Sequence, residues 1–176
     1  MKQLLTIIAT GTLLLATTAT FAQKFAYVDS DYILENIPAY KTAQEELDAT
    51  STRWQKDIEK KYSEIDRLYK EYQAEQILLT EEMKKKKEDE IIEKEREAKE
   101  FQRKKFGVDG ELFKKRSELV KPIQDEVYGA IKSVADASGY AIIFDKANQS
   151  SILYANPKYN KSDDVLKKLG YDTPDE

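Results

Sequence analysis

YKTAQEELDATSTRWQKDIEKKYSEIDRLYKEYQAEQILL (residues 40–79), followed directly by TEEMKKKKEDEIIEKEREAKEFQRKKFGVDGELFKKRSELVK (residues 80–121), makes up almost half of a 176-residue chain. Charged side chains recur at nearly every second or third position, no proline interrupts, and the first glycine is Gly107. Apolar residues return at intervals of seven, which brings them to nearly the same face of a helix. Tyr40, Leu47 and Trp54 form one series. Ile58, Ile65, Tyr72 and Leu79 form a second, displaced from the first by four residues. An insertion of four is a stutter, which unwinds a supercoil locally without ending the helix. After Leu79 the pattern lapses, and Thr80-Glu81-Glu82 reads as a new helix start, with a Thr N-cap and two carboxylates facing the positive end of the helix dipole. The pattern then resumes as Phe106, Phe113, Val120, Val127 and Val134, flanked by Leu112 and Leu119. The stretch is therefore expected to be two long helices folded back on each other, with the tip near residues 77–82. Arms of about 40 residues at about 1.5 Å per residue give a hairpin on the order of 60 Å long, far more than a compact domain of this size needs.

Acidic residues four before a lysine recur along both arms: Asp57 and Lys61, Asp66 and Lys70, Glu81 and Lys85, Glu82 and Lys86, Glu90 and Lys94, Glu95 and Lys99, Glu100 and Lys104, Glu111 and Lys115. Each such pair stabilises a helix by only about 0.2–0.5 kcal/mol, but a series of them keeps an exposed helix formed where packing is thin. Packing is expected to be thin here, because Lys94, Lys105 and Lys115 occupy positions where a strict seam would carry apolar side chains. Gly107 and Gly110 either mark a bend in the second arm or are tolerated surface glycines.

Composition excludes most chemistry. The chain has no cysteine and no histidine, so it lacks a thiol nucleophile, a Ser-His-Asp relay and the usual zinc ligands. An enzyme is not expected, and no cofactor or metal is called for. The net charge is −4. Residues 40–121 carry 21 Lys+Arg and 21 Asp+Glu, while residues 23–39 and 122–176 together carry 7 against 12. Neutral arms on an acidic body argue against nucleic acid as the partner, since phosphate binding needs a basic excess.

Residues 1–22 read as a cleaved signal peptide: Lys2 as the positive start, Leu4–Leu15 as the apolar segment, and Thr20-Phe21-Ala22 as a small-x-small cleavage site before Gln23. The expected product is an exported, soluble protein without disulfides. Residues 23–39 form the first part of a small body. Phe25-Ala26-Tyr27-Val28-Asp29 is a strand, and Ser30 or Asp31 caps a short helix through Glu35. Pro38 lies near the start of the first arm. Residues 122–176 form the second part. Pro122 favours a kink, and Ile123, Val127, Ile131 and Val134 continue an apolar stripe to a C-cap at Gly139. Tyr140–Asp145 is the strongest strand, and Asn148–Ser150 is a polar turn. Ser151–Tyr154 is a third strand, and Ser162–Leu169 a short helix stopped by Gly170. About 70 residues with three short strands cannot hide the edges of a sheet, so several copies closing one barrel is the economical arrangement.

In the order of these elements the chain resembles the Skp/OmpH family of periplasmic chaperones. The residues that carry the likeness are Phe25–Asp29, the charged hairpin, Lys121-Pro122-Ile123 leading into Ala130–Ala135, Gly139–Asp145, Ile152–Ala155, and Asp164–Leu169. The resemblance implies a mostly helical α+β fold: long antiparallel coiled-coil arms on a small β body that forms an intersubunit barrel in a homotrimer. It also implies an ATP-independent holdase in the periplasm of a Gram-negative bacterium, whose clients are unfolded outer-membrane β-barrel proteins. On that reading Phe25, Tyr27, Val28, Ile142, Ile143, Phe144, Ile152 and Leu153 are the oligomerisation residues of the body. The family's well-studied members are strongly basic, and this chain departs from them in charge.

Tyr62, Tyr69, Phe101, Phe106 and Phe113 are the candidate client contacts on the arms, since a surface that holds any exposed chain needs apolar rings that tolerate water. The alternative for each is a place in a wider seam between the arms. Lys84, Lys85, Lys86 and Lys87 near the tip are either a solvated helix face or a docking patch, and a transient membrane-surface contact would fall there. The competing function is a coiled-coil adaptor of the cell envelope without chaperone activity, which accounts for the arms but gives the strand-bearing body no purpose.

Overall fold

Helical phase dictates most of the architecture. The computed structural model describes residues 23–147 and 152–172; the expected signal peptide, the expected turn at Asn148–Ser150 and Ser151 lie outside them. The elements are β1 (Lys24–Val28), α1 (Ser30–Glu35), α2 (Pro38–Glu75), a 3-10 turn (Gln76–Leu78), α3 (Glu81–Phe106), α4 (Glu111–Ser138), β2 (Tyr140–Asp145), a second 3-10 turn (Pro157–Tyr159) and α5 (Ser162–Leu169).

Helix α2 opens with Pro38 in its first turn and runs 38 residues, about 57 Å at 1.5 Å per residue. The chain reverses through Gln76–Leu78 and an extended Leu79, and Thr80 caps α3 by accepting a hydrogen bond from the Met83 amide at 3.3 Å. Two apolar clusters zip the arms together. Ile65, Tyr72, Ile91 and Ala98 are buried in the distal half, and Ala43, Leu47 and Val120 in the half near the body. Between the clusters the Trp54 ring meets Phe106 edge-on, with centroids 6.2 Å apart. The Lys105 ammonium lies 4.5 Å from the Trp54 ring and 5.5 Å from Phe101. Lysines at seam positions thus send their charge to a carboxylate, Glu111 for Lys105 and Glu46 for Lys115, and the Lys105 ammonium also lies over aromatic rings.

The second arm is two helices, because the chain breaks at Gly107–Gly110. Asp109 adopts the left-handed conformation there, with φ of 59°. Neither glycine needs an unusual φ; each is required by close approach. A Cβ on Gly107 would lie 2.4 Å from the Arg103 carbonyl oxygen, and one on Gly110 would lie 2.8 Å from the Gly107 carbonyl oxygen. The contacts Glu46–Lys115, Trp54–Phe106, Tyr62–Gln102 and Glu75–Lys87 share one antiparallel register, which places the break alongside residues 51–54. The stutter of α2 follows immediately, between Trp54 and Ile58. Where one helix shifts the phase of its apolar stripe, its partner must shift too, and the break lets it. The same shift explains Phe113: the seven-residue series puts it in the seam, yet it is 58% exposed, and Leu112, Leu119 and Ile123 pack there instead. Replacing Gly110 with Ala is expected to destabilise the protein by about 1–3 kcal/mol through overpacking against backbone. Gly129→Ala, inside α4 with open space at its Cβ, is expected to stabilise it by about 0.5–1 kcal/mol. Urea unfolding of the two variants checks the opposite signs.

Of the eight ion pairs expected at four-residue spacing, Asp66–Lys70 and Glu95–Lys99 form. Other acids choose different partners, such as Lys60 for Asp57, Lys84 for Glu81 and Arg96 for Glu100. Pro122 lies inside α4, and the helix continues past it to Gly139, which closes it with φ of 69°.

In the body β1 and β2 pair in parallel, with Phe25 opposite Ile142, Ala26 opposite Ile143 and Tyr27 opposite Phe144. Parallel neighbours need a long crossover, and here the entire hairpin serves as one. Paired residues share a face. Ala26, Val28 and Ile143 face the helices, where Val28 joins Ile33, Leu34, Ile37, Val127, Ala130, Val134, Val165 and Leu166 in the main core. The split halves are also stitched by polar groups. The Asp29 carboxylate accepts from the Tyr32 amide and caps α1, a role expected of Ser30 or Asp31. The Asp29 amide donates to the Ser162 hydroxyl at 2.8 Å, which in turn donates to Asn160, and Ser30 donates twice to Asp145. Ser162 is fully buried. Ser162→Ala is expected to cost about 1–3 kcal/mol by leaving the Asp29 amide without an acceptor, a loss readable in thermal unfolding.

One expected element does not form. Ile152–Tyr154 has the composition of a strand but no regular structure, and Leu153 is 97% exposed. One edge of β1 is taken by β2, and its other side is bridged by Asn160, whose neighbour Lys161 donates its amide to the Tyr27 carbonyl at 2.8 Å. A segment of strand-forming residues needs a free edge to pair with, and this one finds none on β1.

Candidate functional site

Two surfaces are left unpartnered, one on the arms and one on the body. On the arms, Tyr62, Tyr69 and Phe113 are exposed. The Tyr62 hydroxyl donates to the Gln102 side chain at 3.4 Å, so its ring lies across the junction of α2 and α3. Phe101 and Phe106 take the other alternative and sit half-buried in the seam. Phe101 stacks beneath Lys61 and Lys105, and Phe106 lies against Trp54. The reason is position: Phe101 lies three residues after buried Ala98 and thus stays on the seam side of α3. Residues that pattern reasoning missed are exposed as well: Ile92 at 63%, Val108 at 98% on the break, and Ile77 and Leu78 at the tip. Ile92 directly follows seam residue Ile91, and only the phase of α3 reveals which of the two is outside.

The lysine run divides. Lys84 pairs with Glu81 at 2.7 Å and Lys87 with Glu75 at 2.6 Å, and these hydrogen bonds hold both ammonium groups above the ordinary lysine range. Lys85 and Lys86 project into water. On the same end of the arm, the Tyr72 hydroxyl donates to Glu88, which raises its pKa above the usual phenol range. At the break, Lys105 and then Lys104 lower the Glu111 carboxyl below the usual carboxylate range.

On the body, the outward face of the sheet carries Phe25, Tyr27, Ile142 and Phe144, with the Phe25 and Phe144 rings 6.4 Å apart. It floors an apolar groove of about 730 Å³, walled by Ile152, Tyr154 and Tyr159. Phe25, Ile142, Phe144 and Leu153 are exposed; Tyr27 is largely covered within the protomer. Val28 and Ile143, expected on this surface, lie on the opposite face of the sheet and pack into the protomer's own core. Among the described residues no helix is long and apolar enough to cross a membrane.

Comparison with known proteins gives three results. Residues 24–169 match the family described as outer membrane protein (OmpH-like). An uncharacterized protein of Aquifex aeolicus (strain VF5) is 29% identical over 150 residues, covering 85% of this chain and 88% of that one. A crystal structure from Caulobacter crescentus, provisionally called an outer membrane chaperone (OmpH-like), superposes with a TM-score of 0.66 at 13% identity, covering 88% of each chain. At that identity the superposition speaks for the fold.

Proposed function

Because the chain belongs to the OmpH-like outer membrane protein family, we propose that it is a periplasmic, ATP-independent holdase that keeps unfolded outer-membrane proteins from aggregating. It works as a homotrimer joined through the bodies, with clients held between the arms. The observation that carries this reading is the arm itself: α2 and its partners extend tens of Å beyond the core of the body, and apolar side chains along them are left in water. Single exposed apolar side chains are ordinary on a protein surface; what sets these apart is that they line an arm projecting beyond the body, where an extended client chain can reach them. The outward sheet face supports self-association in the same way, since Phe25 and Phe144 on the groove floor and Ile142 beside them expose apolar surface that a second copy would remove from water.

Holding needs no turnover. Apolar rings on a wet, charged helix pair attract exposed client side chains weakly, and release follows when a stronger partner or the client's own fold buries them. The test is dilution of a urea-unfolded outer-membrane β-barrel protein into residues 23–176, with aggregation followed by light scattering. Suppression without ATP, saturating near three protomers per client, is the expected result. Absence of suppression at every ratio with several clients would leave a coiled-coil adaptor of the envelope as the better reading.

A further inference from the structure

The arm is two-sided, and the sides differ in chemistry. Tyr62 and Tyr69 each stand four residues after a seam residue, Ile58 and Ile65, which puts both on the same flank of α2. The Tyr62–Gln102 hydrogen bond identifies the matching flank of α3, where Gln102 stands four after Ala98. Ile92, one residue after buried Ile91, turns about 100° toward that same side and lies level with Tyr69 in the antiparallel register. Lys115 pairs with Glu46, which precedes seam residue Leu47, so that pair marks the opposite flank. Phe113, two residues before Lys115, is rotated about 200° from it and returns to the side of Tyr62. Of the carboxylates on this side, Glu95 is engaged by Lys99, Glu88 by Tyr72 and Asp66 by Lys70, while Glu59, one residue after Ile58, stays in water. The opposite flank carries Asp57, Glu64, Glu71, Glu90 and Glu97, each one residue before a seam position; Asp57, Glu71 and Glu97 pair with Lys60, Arg67 and Lys94, and Lys87 is set among Glu75, Glu71 and Glu90. Apart from Met83 at the tip, it presents no exposed large apolar side chain among the described residues of the arm.

We infer that the flank bearing Tyr62, Tyr69, Ile92 and Phe113 is the face that contacts client, that the carboxylate flank stays in water, and that the occupant is a single extended segment of an unfolded β-barrel protein. The inference rests on the holdase reading and orients it. The apolar groups are isolated, with Tyr62 and Tyr69 about 10 Å apart along α2, so they offer no continuous patch for a folded partner. A strand destined for an outer membrane alternates apolar and polar residues, and its apolar side chains recur about every 6.6–6.8 Å on one face. Such a segment can meet the spaced rings in many registers while its polar face stays hydrated. A flank lined with carboxylates offers it nothing comparable.

The absence of cysteine makes the test direct. Single cysteines at Tyr62, Tyr69, Ile92 and Phe113, and at the polar neighbours Lys99 and Gln102 whose replacement disturbs no packing, are labelled with an environment-sensitive fluorophore. A second set is labelled at Glu64, Glu71 and Glu97. On addition of a urea-diluted outer-membrane β-barrel protein, emission is expected to shift to the blue in the first set and to stay unchanged in the second. Equal shifts on both flanks, or shifts on the carboxylate flank alone, while the parent protein still suppresses aggregation, would overturn the orientation and leave the holdase reading intact. No shift at any position, with no suppression by the parent, would remove both. Shifts of the first set on raising the protein's own concentration without client would assign the flank to a second copy and refute the inference.

Discussion

Ile33→Ala lowers the stability of the protein by roughly 2–5 kcal/mol, among the largest effects of any single truncation. Ile33 is completely buried, and so is Leu166, which sits in the same cluster. That cluster draws Val28 from β1, Ile33 and Leu34 from α1, Val127 and Val134 from α4, and Val165 and Leu166 from α5. These segments lie on both sides of the hairpin in sequence, so a cavity at Ile33 weakens the core through which the two halves of the body meet. The arms depend on it less. The distal cluster of Ile65, Tyr72, Ile91 and Ala98 is separate from it, whereas the cluster of Ala43, Leu47 and Val120 shares Tyr40 and Ile123 with the body core. Urea unfolding of Ile33→Ala should therefore show an early loss of body structure with helical signal retained by the arms. Ile92→Ala, at an exposed site, should stay within about 0.5 kcal/mol of the parent. A single coincident transition in Ile33→Ala would mean that arms and body fold as one unit.

On the proposed homotrimer, Phe144→Glu is expected to separate the assembly into monomers without unfolding them. Phe144 is 44% exposed in the protomer, on the outward face of β2 beside Phe25, so the protomer's own core does not need it. In a trimer joined through this face the glutamate would be buried against the apolar groove of a neighbour. Burying an unpaired carboxylate carries an effective penalty of several kcal/mol, more than most small interfaces can absorb. The expected outcome is a far-UV circular dichroism spectrum like that of the parent, together with a threefold fall in mass by light scattering. A variant that keeps its mass would move the interface elsewhere on the body.

The hairpin was legible because its signal is geometric. A seven-residue apolar period can hardly mean anything but a helix seam, and Leu47, Ile65 and Tyr72 are buried as it requires. Caps were legible for the same local reason: Thr80, Gly139 and Gly170 terminate helices through their own side chain or their own φ. What escaped depends on partners. Gly107 and Gly110 have ordinary φ, and the need for glycine arises only when the Arg103 and Gly107 carbonyls come within reach. Phe113 kept the period and lost the seam, because the break reset the phase of α4. Ile152–Tyr154 has the residues of a strand, but β1 is already flanked by β2 on one side and by Asn160 on the other. Lys115 stands four after Glu111 in sequence but pairs with Glu46 of the opposite helix, while Glu111 is taken by Lys105 and Lys104. The sidedness of the arm belongs to this class too: Tyr69 and Ile92 are 23 positions apart in the chain, and only the register of the hairpin sets them level.

The most direct test of the central claim is the mass of the complex formed when residues 23–176 capture a urea-diluted outer-membrane β-barrel protein in the absence of ATP, measured by native mass spectrometry. One species holding three protomers and one client is expected. Client that precipitates or flies alone beside an unaltered free protein would contradict it.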